Sequence, residues 1–144
     1  MDKRVSFEIA KLLKDKGYPQ YKRENQYTGP KYTLDGTYTC AGFAYHYAAP
    51  TIHEAMEWLR IDNRIYILPQ PITASAFAED FPDTWYIEIM VRDKDKREHS
   101  YYGWHPLNFL KHEMYKSYDE ACEAAIKCCL EEVIDYRDKF HGGK

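Results

Sequence analysis

Apolar residues recur along this 144-residue chain at helical spacing near the start, at alternate positions in the middle, and at helical spacing again near the end. Val5, Ile9, Leu12 and Leu13 make the first stripe. Ser6 can cap it, Gly17 followed by Pro19 ends it, and Lys11, Lys14 and Asp15 lie on the solvent side, which predicts a first helix. A second stripe, Ile52, Ala55, Met56 and Leu59, follows "YHYAAPT". Thr51 and Glu54 have the spacing of a capping box, in which the threonine oxygen accepts from the Glu54 amide and the carboxylate from the Thr51 amide. Pro50 disfavours helix at Ala49, so the pattern predicts a short helix from Ile52 to Arg60.

Alternation then replaces helical spacing. "RIYILPQP" is a brief apolar run stopped by Pro69 and Pro71, and "ITASAFAEDFPD" reads as a loop. In "TWYIEIMVRD" Trp85, Ile87, Ile89 and Val91 fall on one face and Tyr86, Glu88, Met90 and Arg92 on the other. "DKDK" reads as a tight turn, after which "REHSYYGW" returns. With Asp93 opposite Lys96, Ile87 faces Tyr102 and Trp85 faces Trp104. The last stripe, Tyr118, Ala121, Cys122, Ala125, Cys129, Val133 and Tyr136, starts at a second capping pair, Ser117 and Glu120. Its small Ala and Cys side chains suit close approach to a sheet. The expected fold is α+β: a three-stranded antiparallel meander over about residues 64–103, packed by helices. Residues 18–47 hold seven tyrosines among Gly29, Pro30 and Gly36, a tyrosine-rich segment that reads either as one or two irregular strands such as Gly36 to Tyr45 or as a long ordered loop, placed along an edge of that sheet.

A chain of this length buries roughly 70% of its unfolded surface, and no Gly/Ser-rich linker divides it, so a single domain over residues 1–144 is expected. No uncharged stretch approaches a membrane span, and nothing resembles an export signal; the expected protein is soluble and cytoplasmic. Net charge is −3, with eight Lys/Arg against five Asp/Glu in residues 1–48 and seven against eleven in residues 49–113. Neither sign dominates, so no generic attraction to nucleic acid or membrane is expected.

Candidate chemistry is sparse. The chain has no glycine-rich phosphate loop, nucleophile elbow or H-E-x-x-H. Cys122, Cys128 and Cys129 offer a C-x5-C-C spacing, but Cys128 sits about 100° from Cys129 around a helix, so no three ligands converge. Buried reduced thiols are the favoured reading, with no metal and no cofactor. Tyr45, His46, Tyr47 and His53 flank the start of the second helix, where amides and the helix dipole attract an anion. The capping box already engages two of those amides, which favours surface histidines beside a cap. Cys40 with His46 as nucleophile and base lacks a third residue and an oxyanion feature. Arg92, Lys94, Lys96 and Arg97 surround the hairpin tip near Tyr86 and Tyr101, a pairing of cations and flat rings suited to single-stranded nucleic acid. Asp93, Asp95 and Glu98 cancel most of that charge, which favours a solvated edge. "WHPLNFLKHEMY" is apolar enough to be tucked under the sheet or to meet a partner, and the first is favoured.

The succession "VSFEIAKLLKDKGY", "YAAPTIHEAMEWLR", a short strand, an aromatic hairpin and "SYDEACEAAIKCCLE" resembles a family of small uncharacterised proteins encoded by bacteriophages and mobile elements of gut anaerobic bacteria. The resemblance covers most of the chain and rests on helix starts and core stripes, so it implies a fold and an origin and no catalytic residues. Together these features lead to an expected non-enzymatic accessory protein that acts through protein contacts, with another protein or a second copy as partner. Nucleic-acid binding through the hairpin around residues 86–101 is the alternative.

Overall fold

Ser6 caps helix α1 (Phe7–Asp15), its hydroxyl accepting from the Ile9 amide at 3.3 Å. The helix ends as the sequence predicts. Gly17 takes φ +98°, the Tyr18 amide reaches the Leu13 carbonyl at 2.9 Å and the Gly17 amide the Lys14 carbonyl at 3.1 Å, the two bonds of a Schellman turn. This computed structural model describes residues 3–20, 29–40, 46–72, 84–92, 104–107, 110 and 113–136. Among them the architecture is α+β, with helices and two three-stranded antiparallel sheets. The chain divides into two units, residues 1–55 and 56–144, and the division falls inside helix α2 (Ile52–Asn63).

In the first unit the tyrosine-rich segment takes the strand alternative, with three short strands among the described residues. Strands β1 (Lys31–Thr33), β2 (Tyr38–Thr39) and β3 (His46–Ala48) form a sheet in the order β2-β1-β3. Tyr32 lies opposite both Tyr38 and Tyr47, so the three rings share one face. Phe7 of α1 meets that face edge-on, 5.5 Å from the Tyr32 ring and 5.7 Å from Tyr47, while Tyr32 and Tyr38 pack at 5.8 Å. Edge-to-face aromatic pairs here supply the packing that aliphatic side chains supply elsewhere. A Cβ on Gly36, at φ +93°, would come within 3.3 Å of the Phe7 ring, so the β1–β2 turn needs glycine both for its conformation and for this close approach. Among the described residues of this unit, Val5, Ile9, Ala10, Leu13, Ala48, Ala49, Pro50, Ile52 and Ala55 are buried and apolar. The outer edge of β3 is closed by side chains: Lys14 Nζ donates to the His46 carbonyl at 3.1 Å and the Ala48 amide donates to Gln20 Oε1 at 2.7 Å.

The capping box at the start of α2 forms as predicted. Glu54 N donates to Thr51 Oγ1 at 3.1 Å, and Thr51 N donates to Glu54 Oε1 at 2.9 Å. The helix runs three residues past Arg60, to Asn63, and stops at Arg64, which takes the left-handed conformation (φ 59°) that closes a helix and normally favours glycine.

The second unit holds the expected meander, β4 (Ile65–Pro71), β5 (Trp85–Arg92) and β6 (Trp104–Leu107), in sequence order. Ile65 and Ile67 of β4 join Ile87, Ile89 and Val91 of β5 on the buried face. Both edge strands carry proline, Pro69 and Pro71 on β4 and Pro106 on β6, which removes donors that another chain would use. The register of β5 and β6 differs from the tight hairpin. Trp104 lies opposite Arg92 and Leu107 opposite Ile89, so β6 begins later, and residues 93–103 lie outside the described residues. The difference is an odd number of positions, so the pairing departs in parity from the expected one. Trp85 bridges to Tyr115 through two 2.8 Å backbone bonds, and its ring packs edge-on against Tyr118 at 5.2 Å. No sequence signal specified that bridge.

Helix α3 (Tyr118–Cys128) packs on β4 and β5. Ser117 Oγ accepts from the Glu120 amide at 3.0 Å, while the Glu120 carboxylate reaches back to the Lys116 amide at 3.3 Å rather than to Ser117. The helix continues through a π-turn, Cys129–Val133, marked by the Ile134 amide bonding to the Cys129 carbonyl. One extra residue in a turn retards the side-chain phase by roughly 100°. Val133 and Ile134 thereby stay buried and Tyr136 turns outward, against the expectation that Tyr136 belongs to the core stripe. Cys128 is buried too, contrary to the stripe argument, because it lies seven residues after buried Ala121 and only about 20° from it around the axis. Among the described residues no helix is long and apolar enough to cross a membrane.

Two stability changes are expected from these helix ends. Thr51→Ala removes a cap and lowers stability by about 1 kcal/mol, read as a fall of about 3 °C in melting temperature, whereas Thr51→Ser retains most of it. Arg64→Gly relieves the left-handed residue and raises stability by roughly 0.5–1 kcal/mol in urea unfolding; an unchanged midpoint would mean that Arg64 carries no backbone cost.

Candidate functional site

Strand alternation separates the residues that the sequence places together at the start of α2. Tyr47 lies opposite Tyr32 on the Phe7 face, and Lys14 Nζ sits 5.1 Å from the centre of its ring. His46, one residue earlier, lies opposite Thr33 and belongs to the other face of the sheet. His53 is exposed on the first turn of α2, and Tyr45 lies outside the described residues.

Three of the amides at that helix end are engaged by protein acceptors. Ile52 N donates to the Lys3 carbonyl at 2.8 Å, Glu54 N to Thr51 Oγ1 and Ala55 N to the Thr51 carbonyl at 3.0 Å. Arg4 further ties the strand before the helix, donating from Nη1 to the Ala49 carbonyl at 2.9 Å. These contacts make the region a junction that holds α1, β3 and α2 of the first unit together.

Cys40 is exposed, and its Sγ lies 3.8 Å from the Tyr38 hydroxyl. Burial, the neighbouring thiol and its hydrogen bond raise the Tyr38 phenol above its ordinary value. All four cysteines are free thiols, and the other three are buried on α3 and its π-turn. Burial pushes Cys122 and Cys128 up to about 11, and Cys129 rises well above the ordinary thiol value for the same reason. Such thiols stay neutral at physiological pH and are poor nucleophiles and poor metal ligands. Among the described residues no group of three or more His, Cys, Asp or Glu side chains is placed to hold a metal ion.

Of the hairpin-tip residues, Lys94, Lys96, Arg97 and Tyr101 lie outside the described residues. Arg92, which the sequence groups with those cations, is 9% exposed, and its amide donates to the Arg64 carbonyl at 3.0 Å. The cause is the register: β5 extends through Arg92 as a paired residue opposite Trp104, so Arg92 lies within the sheet.

The outer face of β4 and β5 is the mixed apolar and polar surface that sequence reading passed over. Tyr66 lies opposite Met90, Leu68 opposite Glu88 and Gln70 opposite Tyr86. Tyr66 is 43% exposed, Leu68, Gln70, Tyr86 and Met90 are half-buried, and Gln70 Nε2 reaches Glu88 Oε1 at 3.4 Å. Alternation within "RIYILPQP" was the available signal, since it puts Tyr66 and Leu68 opposite in sense to Ile65 and Ile67. Comparisons with protein-family models, curated proteins and solved structures find no match to this chain.

Two outcomes are expected for the cysteines. In the native protein at pH 8 a thiol reagent should label Cys40 alone, with Cys122, Cys128 and Cys129 reacting only in denaturant; rapid labelling of more than one thiol would contradict their burial. The folded-state values of the buried thiols lie above the unfolded value near 9, so between pH 9 and 11 the unfolded chain releases protons that the folded chain keeps. Stability should therefore be undiminished below pH 9 and fall as pH rises towards 11. Urea midpoints at pH 8 and pH 10.5 measure the loss, and Cys128→Ala should make it smaller.

Proposed function

We propose that this chain is a non-enzymatic accessory protein of bacteriophage or mobile-element origin that works in the cytoplasm through protein contacts. The single observation that carries this reading is the outer face of β4 and β5, where Tyr66 stands 43% exposed beside Met90, Leu68 and Tyr86 within a polar surround of Gln70 and Glu88. Tyrosine and methionine are enriched in contact surfaces because they bury large, adaptable apolar area, and a polar rim fixes register. The proline-bearing edges direct any partner to side chains instead of backbone ladders. The character of the remaining groups agrees: the buried thiols are held neutral, three amides at the start of α2 have protein acceptors, and His46 and Tyr47 occupy opposite faces. The phage or mobile-element origin rests on the resemblance of the helix starts and core stripes.

The test is a comparison of the tagged chain with its Tyr66→Glu/Met90→Glu variant, both shown to be folded by circular dichroism. Captured from a phage-infected host, the unchanged chain should hold a stoichiometric protein partner that the variant loses. If a second copy is the partner, sedimentation at high micromolar concentration should give about twice the 17.1 kDa chain mass for the unchanged protein and a monomer for the variant. The same partners on both chains would remove this face from the function. Binding of single-stranded nucleic acid at low salt, where phosphate contacts are strongest, would support the alternative reading in its place.

A further inference from the structure

We draw no further inference here: the strongest candidate, the outer face of the β4–β5 pair around Tyr66 and Met90, belongs to the surface already described, and nothing among the described residues shows what covers it.

Discussion

The antiparallel pairing of β4 with β5 is the constraint on which the second unit depends. It runs from Ile65 opposite Val91 to Pro71 opposite Trp85 without a bulge, so one parity of residues is committed to each face throughout. Ile65, Ile67, Ile87, Ile89 and Val91 then form a continuous apolar surface, and a slip of one position would exchange them for Tyr66, Leu68, Glu88 and Met90. The cost of burying Glu88 is what holds the register. Helix α3 can lie on this surface because Ala121, Cys122 and Ala125 present small side chains to it, and the π-turn at Cys129–Val133 keeps Val133 and Ile134 buried as the helix continues.

The first unit solves the same problem with less aliphatic material. Its sheet has strands of three, two and three residues, too short for backbone pairing alone to be decisive. Phe7 ties the sheet to α1 through edge-to-face contacts with Tyr32 and Tyr47, and the Tyr32 hydroxyl donates to the Val5 carbonyl at 2.7 Å. Gly36 is part of the same arrangement, since any side chain there would displace the ring. The tight turn is held by Asp35, whose carboxylate accepts from the Thr33 hydroxyl and the Thr37 amide and is kept below the usual carboxylate range by those bonds.

These two constructions decide which side chains remain for function. Polar groups near α1, β3 and α2 are engaged in holding local structure: Lys14 on His46, Gln20 on Ala48, Arg4 on Ala49. His46 and Tyr47, adjacent in the sequence, are thereby dispersed, because a strand sends consecutive residues to opposite sides. The aromatic and thioether groups of the outer β4–β5 face are left by geometry, on positions that alternate along each strand with the buried isoleucines.

Helix starts were legible in the sequence because capping is a local matter: Ser6, Thr51 and Ser117 each accept the amide three residues on. The inward parity of β5 was legible for the same reason, since alternation is a property of a single strand. Pairing was not local. Whether Trp104 faces Trp85 or Arg92, whether Tyr115 closes the sheet beside Trp85, and whether the tyrosines form a sheet of their own depend on segments distant in the chain. The exposure of Tyr136 likewise follows from a π-turn that a regular 3.6-residue repeat does not contain. The sequence by itself therefore determined the elements, their ends and their apolar faces. Only the tertiary structure decided register and helix phase, and with them which polar side chains could meet, because those depend on contacts between residues that no local spacing relates.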